Sequence, residues 1–219
     1  MNHRIITIDG PAGAGKTTIS KLLARRLGCV YVDTGALYRG VAYEIQKQQI
    51  DWEDESCLEI FLKNLKLNCI LEKDNLSLIS SGKDITPFIR TPEISMLASA
   101  TSARPQIRSA LLDIQRNIAQ TQDAVFEGRD MGTVVFPEAS FKFFLFADLS
   151  VRAKRRYDEI PGSQKDITRV QQEMESRDAN DSQRKEAPLK AAFDAIKIDS
   201  TGLTIQEVID EILKNISKA

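Results

Sequence analysis

A glycine-rich segment near the start of the chain, residues 10–17, has the residue types and spacing of a phosphate-binding loop. It reads GPAGAGKT and fits the pattern G-x-x-x-x-G-K-[ST] in full. Its glycines let backbone N–H groups curl around a polyphosphate, and Lys16 adds a positive charge beside the β and γ phosphates. The hydroxyl of Thr17 is placed to ligate Mg²⁺. The segment predicts a site for a nucleoside triphosphate but does not say which group receives the phosphate.

The neighbouring elements supply the context that this motif requires. Residues 5–8 form a short β-branched run typical of a buried parallel strand, and residues 19–27 carry an apolar stripe at helical spacing. A second strand is predicted at 30–32 and a second helix at 34–48. The chain thus opens β-α-β-α, which indicates a parallel sheet covered by helices. This context disfavours the plainer alternative, a glycine-rich turn with a surface lysine.

Polar and charged residues also follow two further strands of the predicted sheet. Thr34 and Arg39 come after the second strand, and Arg129 and Asp130 come after a strand at 124–126. Because ligands in open α/β sheets bind at the carboxyl ends of the strands, these side chains could reach a bound acceptor. The structural alternatives are a helix N-cap, a solvated charge and a local ion pair that braces a turn. The residues alone leave both interpretations open.

An arginine-rich stretch later in the chain adds positive charge. Arg152, Arg155 and Arg156 are spaced to share one helix face, and Arg177 and Arg184 follow. Phosphoryl transfer needs positive charge around the transferring group, although a solvated helix face is the commoner role of such a run. A site rich in arginine and poor in histidine suits an acceptor that is already a phosphate, because its ionised oxygen needs no base. A carboxylate base stays an open alternative.

The composition excludes several other classes of function. The 219 residues are 42% hydrophobic and 28% charged, and the net charge of -1 argues against a generic binder of nucleic acid. The only histidine is His3, which excludes a histidine-based metal centre, and the three cysteines have no metal-type spacing. No run is apolar enough for a transmembrane helix and no signal peptide precedes the first strand, so we expect a cytoplasmic protein.

The middle of the chain interrupts the α/β pattern. Apolar residues at 65–71 and 76–78 alternate with polar ones on either side of a turn at 73–75, which predicts a small antiparallel hairpin inserted at about 60–90. A terminal helix begins with a capping box formed by Thr204 and Glu207. The other expected elements are helices from Pro92 and Pro105, strands at 142–146 and 195–198, and polar helices across 150–186. We expect one α/β domain over residues 1–219.

Four motifs together closely resemble one family, the bacterial cytidylate kinases. They are GPAGAGKTT at 10–18, DTGALYRG at 33–40, GRDMGTVVFP at 128–137 and RDANDSQRKEAPL at 177–189, and the resemblance runs over nearly the whole chain. GRDMGTVVFP is the most specific of them. The resemblance implies transfer of the γ-phosphoryl group of ATP, with Mg²⁺, to CMP or dCMP. It also implies a P-loop kinase core with a five-stranded parallel sheet flanked by helices, a nucleoside-monophosphate-binding insert at 60–90 and a helical lid at 150–180.

The resemblance also implies roles for individual residues on the ATP side. The residues that would bind the nucleotide are Gly10, Pro11, Ala12, Gly13, Ala14, Gly15, Lys16, Thr17 and Thr18. The residues that would act in catalysis are Lys16, Arg129, Arg152 and Arg156. Many relatives have glycine where Thr17 stands, so the Mg²⁺ ligand could be Thr17 or Thr18.

On the acceptor side, the resemblance implies a complete set of contacts to CMP. Thr34 would line the acceptor pocket. The residues that would hold the phosphate are Arg39, Arg129 and Arg184. The residues that would read the cytosine are Ser99, Arg108 and Asp130. Arg177 and Asp181 would bind the pentose.

Three rival functions stand beside this one. The nearest is a P-loop kinase for another small acceptor, such as UMP, AMP or shikimate. A GTP-binding switch or a nucleic-acid-dependent ATPase is disfavoured, because the chain lacks an N-K-x-D motif and a basic stripe with interleaved aromatic residues. A non-catalytic nucleotide-binding module is disfavoured by the intact Lys16, Thr17 and arginine set. We expect a monomer with small-molecule substrates and neither a nucleic-acid nor a membrane partner.

Overall fold

The computed structural model describes residues 3–72, 75–160 and 166–218. In chain order, the strands of these residues are β1 (Ile5–Asp9), β2 (Val30–Asp33), β3 (Leu67–Glu72), β4 (Asn75–Ser80), β5 (Lys83–Asp84), β6 (Ala124–Gly128), β7 (Phe141–Phe146) and β8 (Ile196–Asp199). The helices are α1 (Lys16–Leu27), α2 (Thr34–Gln48), α3 (Glu55–Asn64), α4 (Pro92–Thr101), α5 (Pro105–Thr121), α6 (Leu149–Glu159), α7 (Ile167–Gln183) and α8 (Ile205–Ile216).

The main sheet consists of five parallel strands in the order β2-β6-β1-β7-β8. β1 lies at the centre, as expected for a short β-branched strand that is buried along its whole length. Ile6 and Ile8 belong to a core cluster shared with α1 and α8, whereas Ile5 belongs to the cluster formed with α2 and α5. Helices therefore cover both faces of the sheet, and the predicted α/β core is confirmed.

A separate antiparallel sheet, β3-β4-β5, packs beside α2. β3 and β4 form a hairpin in which Cys69 pairs with Leu78. Gly40 of α2 allows this hairpin to approach closely, because a Cβ there would stand 2.2 Å from Leu78 Cδ2. The predicted antiparallel hairpin is confirmed, although residues 73–74 of its predicted turn lie outside the described residues.

The helices α6 and α7 occupy the polar stretch that the sequence predicts to be helical, of which residues 161–165 lie outside the described residues. Val170 and Met174 of α7 pack against Ala153 of α6 and Ala12 of the glycine-rich loop. This small apolar cluster fastens the helix pair to the phosphate-binding loop. In the described part of the chain, no helix has both the length and the apolar character needed to cross a membrane.

Among the elements that the sequence patterns do not predict are α3 and a π-helical turn. In α3 only Leu58 and Phe61 are buried, which is too short a stripe to stand out as a helix. A π-helical turn at Met131–Val135 lies inside the GRDMGTVVFP motif and is held by contacts with β1. By contrast, the predicted capping box at the start of α8 is confirmed, since the Thr204 hydroxyl accepts from the Glu207 backbone N–H at 3.3 Å.

Candidate active site

The loop after β1 depends on its glycines for its shape. Gly10 has a φ of +147°, and a Cβ there would lie 1.9 Å from Leu145 O. Gly13 has a φ of +73°, and a Cβ there would lie 2.6 Å from Met174 Cε. α1 begins at Lys16, directly after the loop, so the N-terminal N–H groups of that helix lie beside it. This is the geometry of an anion-binding nest at a helix N-terminus.

Lys16 is buried in this loop, and its Nζ donates a hydrogen bond to Pro11 O at 2.6 Å. Burial, together with the positive charges of Arg129 and Arg177, lowers the pKa of Lys16 to about 7, although Glu127 opposes the shift. Cations that depress one another's pKa gain from a bound anion, because the anion offsets their repulsion. The loop is therefore electrostatically prepared for phosphate.

Glu127 of β6 joins three other elements beside the loop. Its Oε1 accepts a hydrogen bond from Thr17 Oγ1 at 2.8 Å, and its Oε2 accepts one from the Tyr31 hydroxyl at 2.6 Å. Its backbone oxygen accepts a hydrogen bond from Thr34 Oγ1 at 2.6 Å. A hydroxyl oxygen next to a carboxylate is a donor set of the kind that Mg²⁺ prefers, whereas Thr18 is exposed. The oxygen atoms at Thr17 and Glu127 thus fit a divalent cation.

Arg39, which is expected to hold the acceptor phosphate, lies against a buried carboxylate. Its Nη2 donates to Asp33 Oδ2 at 2.8 Å, and Arg90, which precedes α4, donates to the same oxygen at 3.1 Å. Burial would raise the pKa of Asp33, but Arg39 and Arg90 hold it below its usual value. The Nε of Arg39 is buried without a hydrogen-bond partner. Arg39 therefore has an unused donor available for an anion.

Asp181 of α7 gathers three of the residues expected to bind the acceptor. Its Oδ2 accepts from Arg129 Nε at 2.9 Å, and its Oδ1 accepts from Ser99 Oγ at 3.0 Å. Burial, together with the charge of Arg129, lowers the pKa of Arg177 to about 10. The buried Nε of Arg177 has no hydrogen-bond partner. The structure thus brings these four side chains together, with one donor unused.

Asp130 is buried between two further arginines from the expected set. Its Oδ2 accepts a hydrogen bond from Arg108 Nη2, and its Oδ1 accepts one from Arg184 Nη2 at 3.4 Å. Burial raises the pKa of Asp130 even though both guanidiniums oppose the shift. Arg184 also donates to Ser102 Oγ at 3.1 Å, and Arg108 lies over the Tyr38 ring at 5.5 Å. These side chains form one hydrogen-bonded polar group around the buried Asp130 carboxylate.

The three arginines of α6 do not converge in this structure. Arg152 is buried and donates to Ala12 O at 2.9 Å and to Asp178 Oδ2 at 2.5 Å, so it ties α6 to the phosphate-binding loop and to α7. Arg155 donates to Ser200 O at 2.6 Å. Arg156 is partly exposed and pairs with Glu159 on its own helix at 3.1 Å. Helical spacing alone does not reveal these three different surroundings.

Comparison with known proteins places the chain in a family. The model of the Cytidylate kinase family matches residues 6–218. This chain belongs to the cytidylate kinase family. It is 44% identical over 210 residues to "Cytidylate kinase" of Geobacter sulfurreducens, which covers 95% of this chain and 90% of the relative. It is 47% identical over 211 residues to "Cytidylate kinase" of Thermosipho melanesiensis, which covers 95% of this chain and 94% of the relative.

One solved structure is similar to this chain in its overall fold. The crystal structure of an uncharacterized protein from Eubacterium ventriosum is similar with a TM-score of 0.54 and 15% identity, over 99% of each chain.

Membership of the cytidylate kinase family makes the chain a nucleoside monophosphate kinase, with ATP as donor and small nucleotides as substrates. The family and the enzyme class expected from the four motifs are confirmed.

The cytidylate kinase site also contains buried acidic residues to which the motifs gave no role. Asp9, Asp33 and Glu127 all lie at the carboxyl ends of parallel strands. A charged residue at the end of an apolar strand is the signal that could have located them. Arg90 carries no such signal, because only folding brings it to Asp33. Asp178 accepts a hydrogen bond from Arg152. It lies within the motif at 177–189, but α7 carries many charged residues, so the sequence does not single it out.

The Asp9 side chain links the start of the phosphate-binding loop to the GRDMGTVVFP motif. Its Oδ1 accepts a hydrogen bond from the backbone N–H of Met131 at 2.9 Å, and its Oδ2 accepts one from Gly132 at 2.7 Å. Burial raises the pKa of Asp9 to about 6, although these two N–H groups oppose the shift. The carboxylate therefore connects the end of β1, where the phosphate-binding loop starts, with the turn that follows Asp130.

Proposed function

We propose that this protein transfers the γ-phosphoryl group of Mg-ATP to CMP or dCMP, giving ADP and CDP or dCDP. One observation carries the proposal: Lys16 is buried in the phosphate-binding loop, where burial and the positive charges of Arg129 and Arg177 lower its pKa to about 7. Such a cluster is suited to phosphates arriving from two sides. An oxygen of the acceptor phosphate attacks the γ-phosphorus in line, the bond to the β–γ bridging oxygen breaks, and ADP leaves.

The acceptor phosphate would be held by three arginines. Arg39, Arg129 and Arg184 are proposed for this role, and the unused Nε of Arg39 supports it. Guanidinium groups suit a phosphate because several N–H donors point in one plane and the charge persists at all working pH values. The acceptor oxygen is already ionised at neutral pH, so the transfer needs no general base.

The cytosine would be read by Ser99, Arg108 and Asp130. The exocyclic amine of cytosine can donate a hydrogen bond to the Asp130 carboxylate, whereas the corresponding carbonyl of uracil cannot. Arg108 and Arg184 neutralise that buried carboxylate. Arg177 and Asp181 are proposed to bind the pentose. Support for this division comes from Asp130 and Asp181, which are both buried and pair with different arginines: Asp130 with Arg108 and Arg184, and Asp181 with Arg129.

Mg²⁺ would be held by Thr17 together with phosphate oxygens, and Glu127 would orient the hydroxyl of Thr17. When bound, the ion supplies positive charge that neutralises part of the charge on the transferring group. Tyr31 and Thr34 fix Glu127 in place. Lys16 would add its own positive charge.

The helical region at 150–180 is proposed to act as a lid, and the hairpin region at 60–90 as the acceptor-binding insert. Arg152 and Arg156 would contribute to catalysis from the lid. Closing a lid over the bound nucleotides excludes water and prevents wasteful hydrolysis of ATP. Arg156 supports such a movement, because an exposed ion pair with Glu159 is worth only about 0–1 kcal/mol and is easily broken. We further propose a cytoplasmic monomer with no nucleic-acid partner.

The deciding experiment measures ADP release from Mg-ATP with CMP, dCMP, UMP, AMP or shikimate supplied separately, and with no acceptor. ADP formation with CMP and dCMP alone is the expected result. Equal rates with UMP or AMP would overturn the assignment of cytosine to Asp130. ADP release without an acceptor, or only with nucleic acid, would overturn the kinase assignment for this site.

A further inference from the structure

Asp9 occupies an unusual position between the two halves of the candidate active site. It is the last residue of the central strand and directly precedes the phosphate-binding loop. Its side chain is 3% exposed, and both of its oxygens are used by the backbone of the turn that begins at Met131. Arg129 and Asp130 stand immediately before that turn. One carboxylate therefore connects the strand of the ATP site with the residues proposed to bind the acceptor.

The turn depends on this carboxylate for its first hydrogen bonds. The N–H groups at the start of a helical turn have no partner within the turn itself. Later N–H groups are satisfied internally, since Val134 N donates to Asp130 O at 2.9 Å and Phe136 N donates to Met131 O at 2.7 Å. A carboxylate offers two acceptor oxygens and can serve both free donors at once, whereas an amide offers one acceptor and one donor group.

The turn also lies flat against β1. A Cβ on Gly132 would stand 3.0 Å from Thr7 Oγ1, and Thr7 is two residues before Asp9 on the same strand. The hydroxyl of Thr7 is buried without a hydrogen-bond partner. The turn thus contacts β1 in two ways: by van der Waals packing of Gly132 against Thr7, and by hydrogen bonds to Asp9. Mutation of Thr7 and mutation of Asp9 can therefore separate packing from hydrogen bonding.

We propose that Asp9 is a positioning residue for acceptor binding: its two-pronged contact with the backbone of Met131 and Gly132 sets where Arg129 and Asp130 stand relative to the phosphate-binding loop. This inference rests on the proposed function, because it assumes that these two residues contact the nucleoside monophosphate. Asp9 acts through the turn and does not itself touch a substrate. Loss of the contact loosens the acceptor side while the loop keeps its own shape, which Gly10 sets against β7.

The test is Asp9→Asn, with Thr7→Val as the matched control on the same strand. In Asp9→Asn, the dissociation constant for CMP and the KM for CMP are expected to rise by about tenfold or more, because one backbone N–H faces an amide NH₂ group. The dissociation constant for a non-hydrolysable ATP analogue is expected to change by less than about twofold, because the carboxylate bonds no atom of the loop. Thr7→Val removes a hydroxyl that makes no hydrogen bond and should leave both constants unchanged.

A second measurement, amide hydrogen exchange, reports on the turn itself. Hydrogen exchange at the amides of Met131 and Gly132 should become about tenfold faster or more in Asp9→Asn, while exchange in α1 stays as in the wild type. Unchanged CMP affinity, or an equal loss of CMP and ATP-analogue affinity, overturns the proposal. So does unchanged exchange at the two amides.

If Asp9→Asn does not fold, Gly132→Ala tests the same link. It pushes the turn away from Thr7 and keeps the carboxylate. Selective loss of CMP affinity supports the proposal, and unchanged CMP affinity overturns it. If the wild-type protein binds no CMP at all, the proposed function fails, whereas the exchange measurement still decides whether Asp9 holds the turn.

Discussion

The Nε of Arg129 donates a hydrogen bond to Asp181 Oδ2 across 2.9 Å, and this bond links the turn after β6 to α7. Burial would lower the pKa of Arg129, but Asp181 holds it above its usual value. The guanidinium is therefore fixed in orientation and stays charged. The charge of Arg129 also contributes, after burial, to the lowered pKa of Lys16, so Arg129 is electrostatically linked to the phosphate-binding loop as well as to α7.

Arg129→Ala should lower kcat/KM for CMP by about 100-fold or more, because it removes charge-assisted hydrogen bonds to a phosphate. Arg129→Lys should recover only part of the activity, since an ammonium group cannot bind a phosphate in two-pronged fashion. Steady-state kinetics with CMP as the varied substrate measures both. Arg26→Ala is the control, because Arg26 pairs with Asp210 at 3.4 Å on the exposed surface of α1 and α8. Near-normal turnover in Arg129→Ala would remove Arg129 from the mechanism.

Asp130→Asn should change which pyrimidine is accepted. The amide can donate to a uracil carbonyl, so kcat/KM for CMP should fall by about 10- to 100-fold while the ratio of UMP to CMP activity rises. The two activities are measured side by side, with thermal unfolding as a check that Arg108 and Arg184 tolerate the loss of charge. Asp123→Asn serves as control, since Asp123 pairs with Arg4 at the other end of the sheet. An unchanged UMP to CMP ratio would contradict base reading by Asp130.

ATP binding should be coupled to the uptake of a proton by Lys16. The free protein holds the pKa of Lys16 at about 7, and bound phosphates favour the charged form and raise that pKa. Above about pH 7 the free lysine is mostly neutral, so ATP affinity should fall by up to about tenfold per pH unit. Calorimetry at about pH 8 in buffers of different ionisation enthalpy measures the proton uptake. Lys16→Arg should abolish the uptake, because a guanidinium is already protonated; persistence of the uptake would assign it to another group.

Arg152 and Arg156 should behave differently when removed. Arg152→Ala leaves Asp178 without its cation and frees α6 from Ala12, so it should lower the free energy of unfolding by about 3 kcal/mol. Arg156→Ala should leave the unfolding free energy within about 0.5 kcal/mol and lower kcat by about tenfold or more if the side chain reaches the phosphoryl group on closure. Thermal or denaturant unfolding and kcat are measured on both. Glu159→Gln, which only releases Arg156, is the control and should retain wild-type kcat.

Thr17→Ala should raise the Mg²⁺ concentration needed for half-maximal activity, whereas Thr17→Ser should be close to the wild type because it keeps the hydroxyl. Thr18→Ala is the matched control, since Thr18 is exposed and next in the chain. Binding of Mn²⁺ in the presence of ATP, followed by electron paramagnetic resonance, gives a readout independent of turnover. A larger effect at Thr18 than at Thr17 would reverse the assignment of the metal ligand.

Much of the fold was predictable because its determinants are local. The strand before the glycine-rich loop, the helix at 34–48 and the capping box at Thr204 each depend on residues within a few positions of one another. The hairpin of β3 and β4 followed from an alternation that continues on both sides of one turn. α3 was missed because only two of its side chains reach the core, which leaves almost no periodic pattern.

The residues of the candidate site were likewise predictable where a local motif marks them and unpredictable where none does. Motifs located the phosphate-binding loop, Arg129 and Asp130, since each requires particular residue types at fixed spacing. Ser99 and Arg108 had no local pattern and were expected only through the family resemblance. Helical spacing placed Arg152 and Arg156 on one face, yet Arg152 is buried against Asp178 whereas Arg156 is partly exposed and pairs with Glu159.

Tertiary structure alone decided the partners of each charge. Asp9 and Met131 are 122 residues apart in the chain, and Thr17 and Glu127 are 110 apart. Neither pair leaves a trace in local composition, because a parallel sheet places the ends of distant strands side by side only after the crossover helices have packed. The sequence by itself thus determined which short segments carry the residue types that phosphate chemistry needs. Which carboxylate holds which cation or turn was settled by strand order and by the burial that makes an unpaired charge costly.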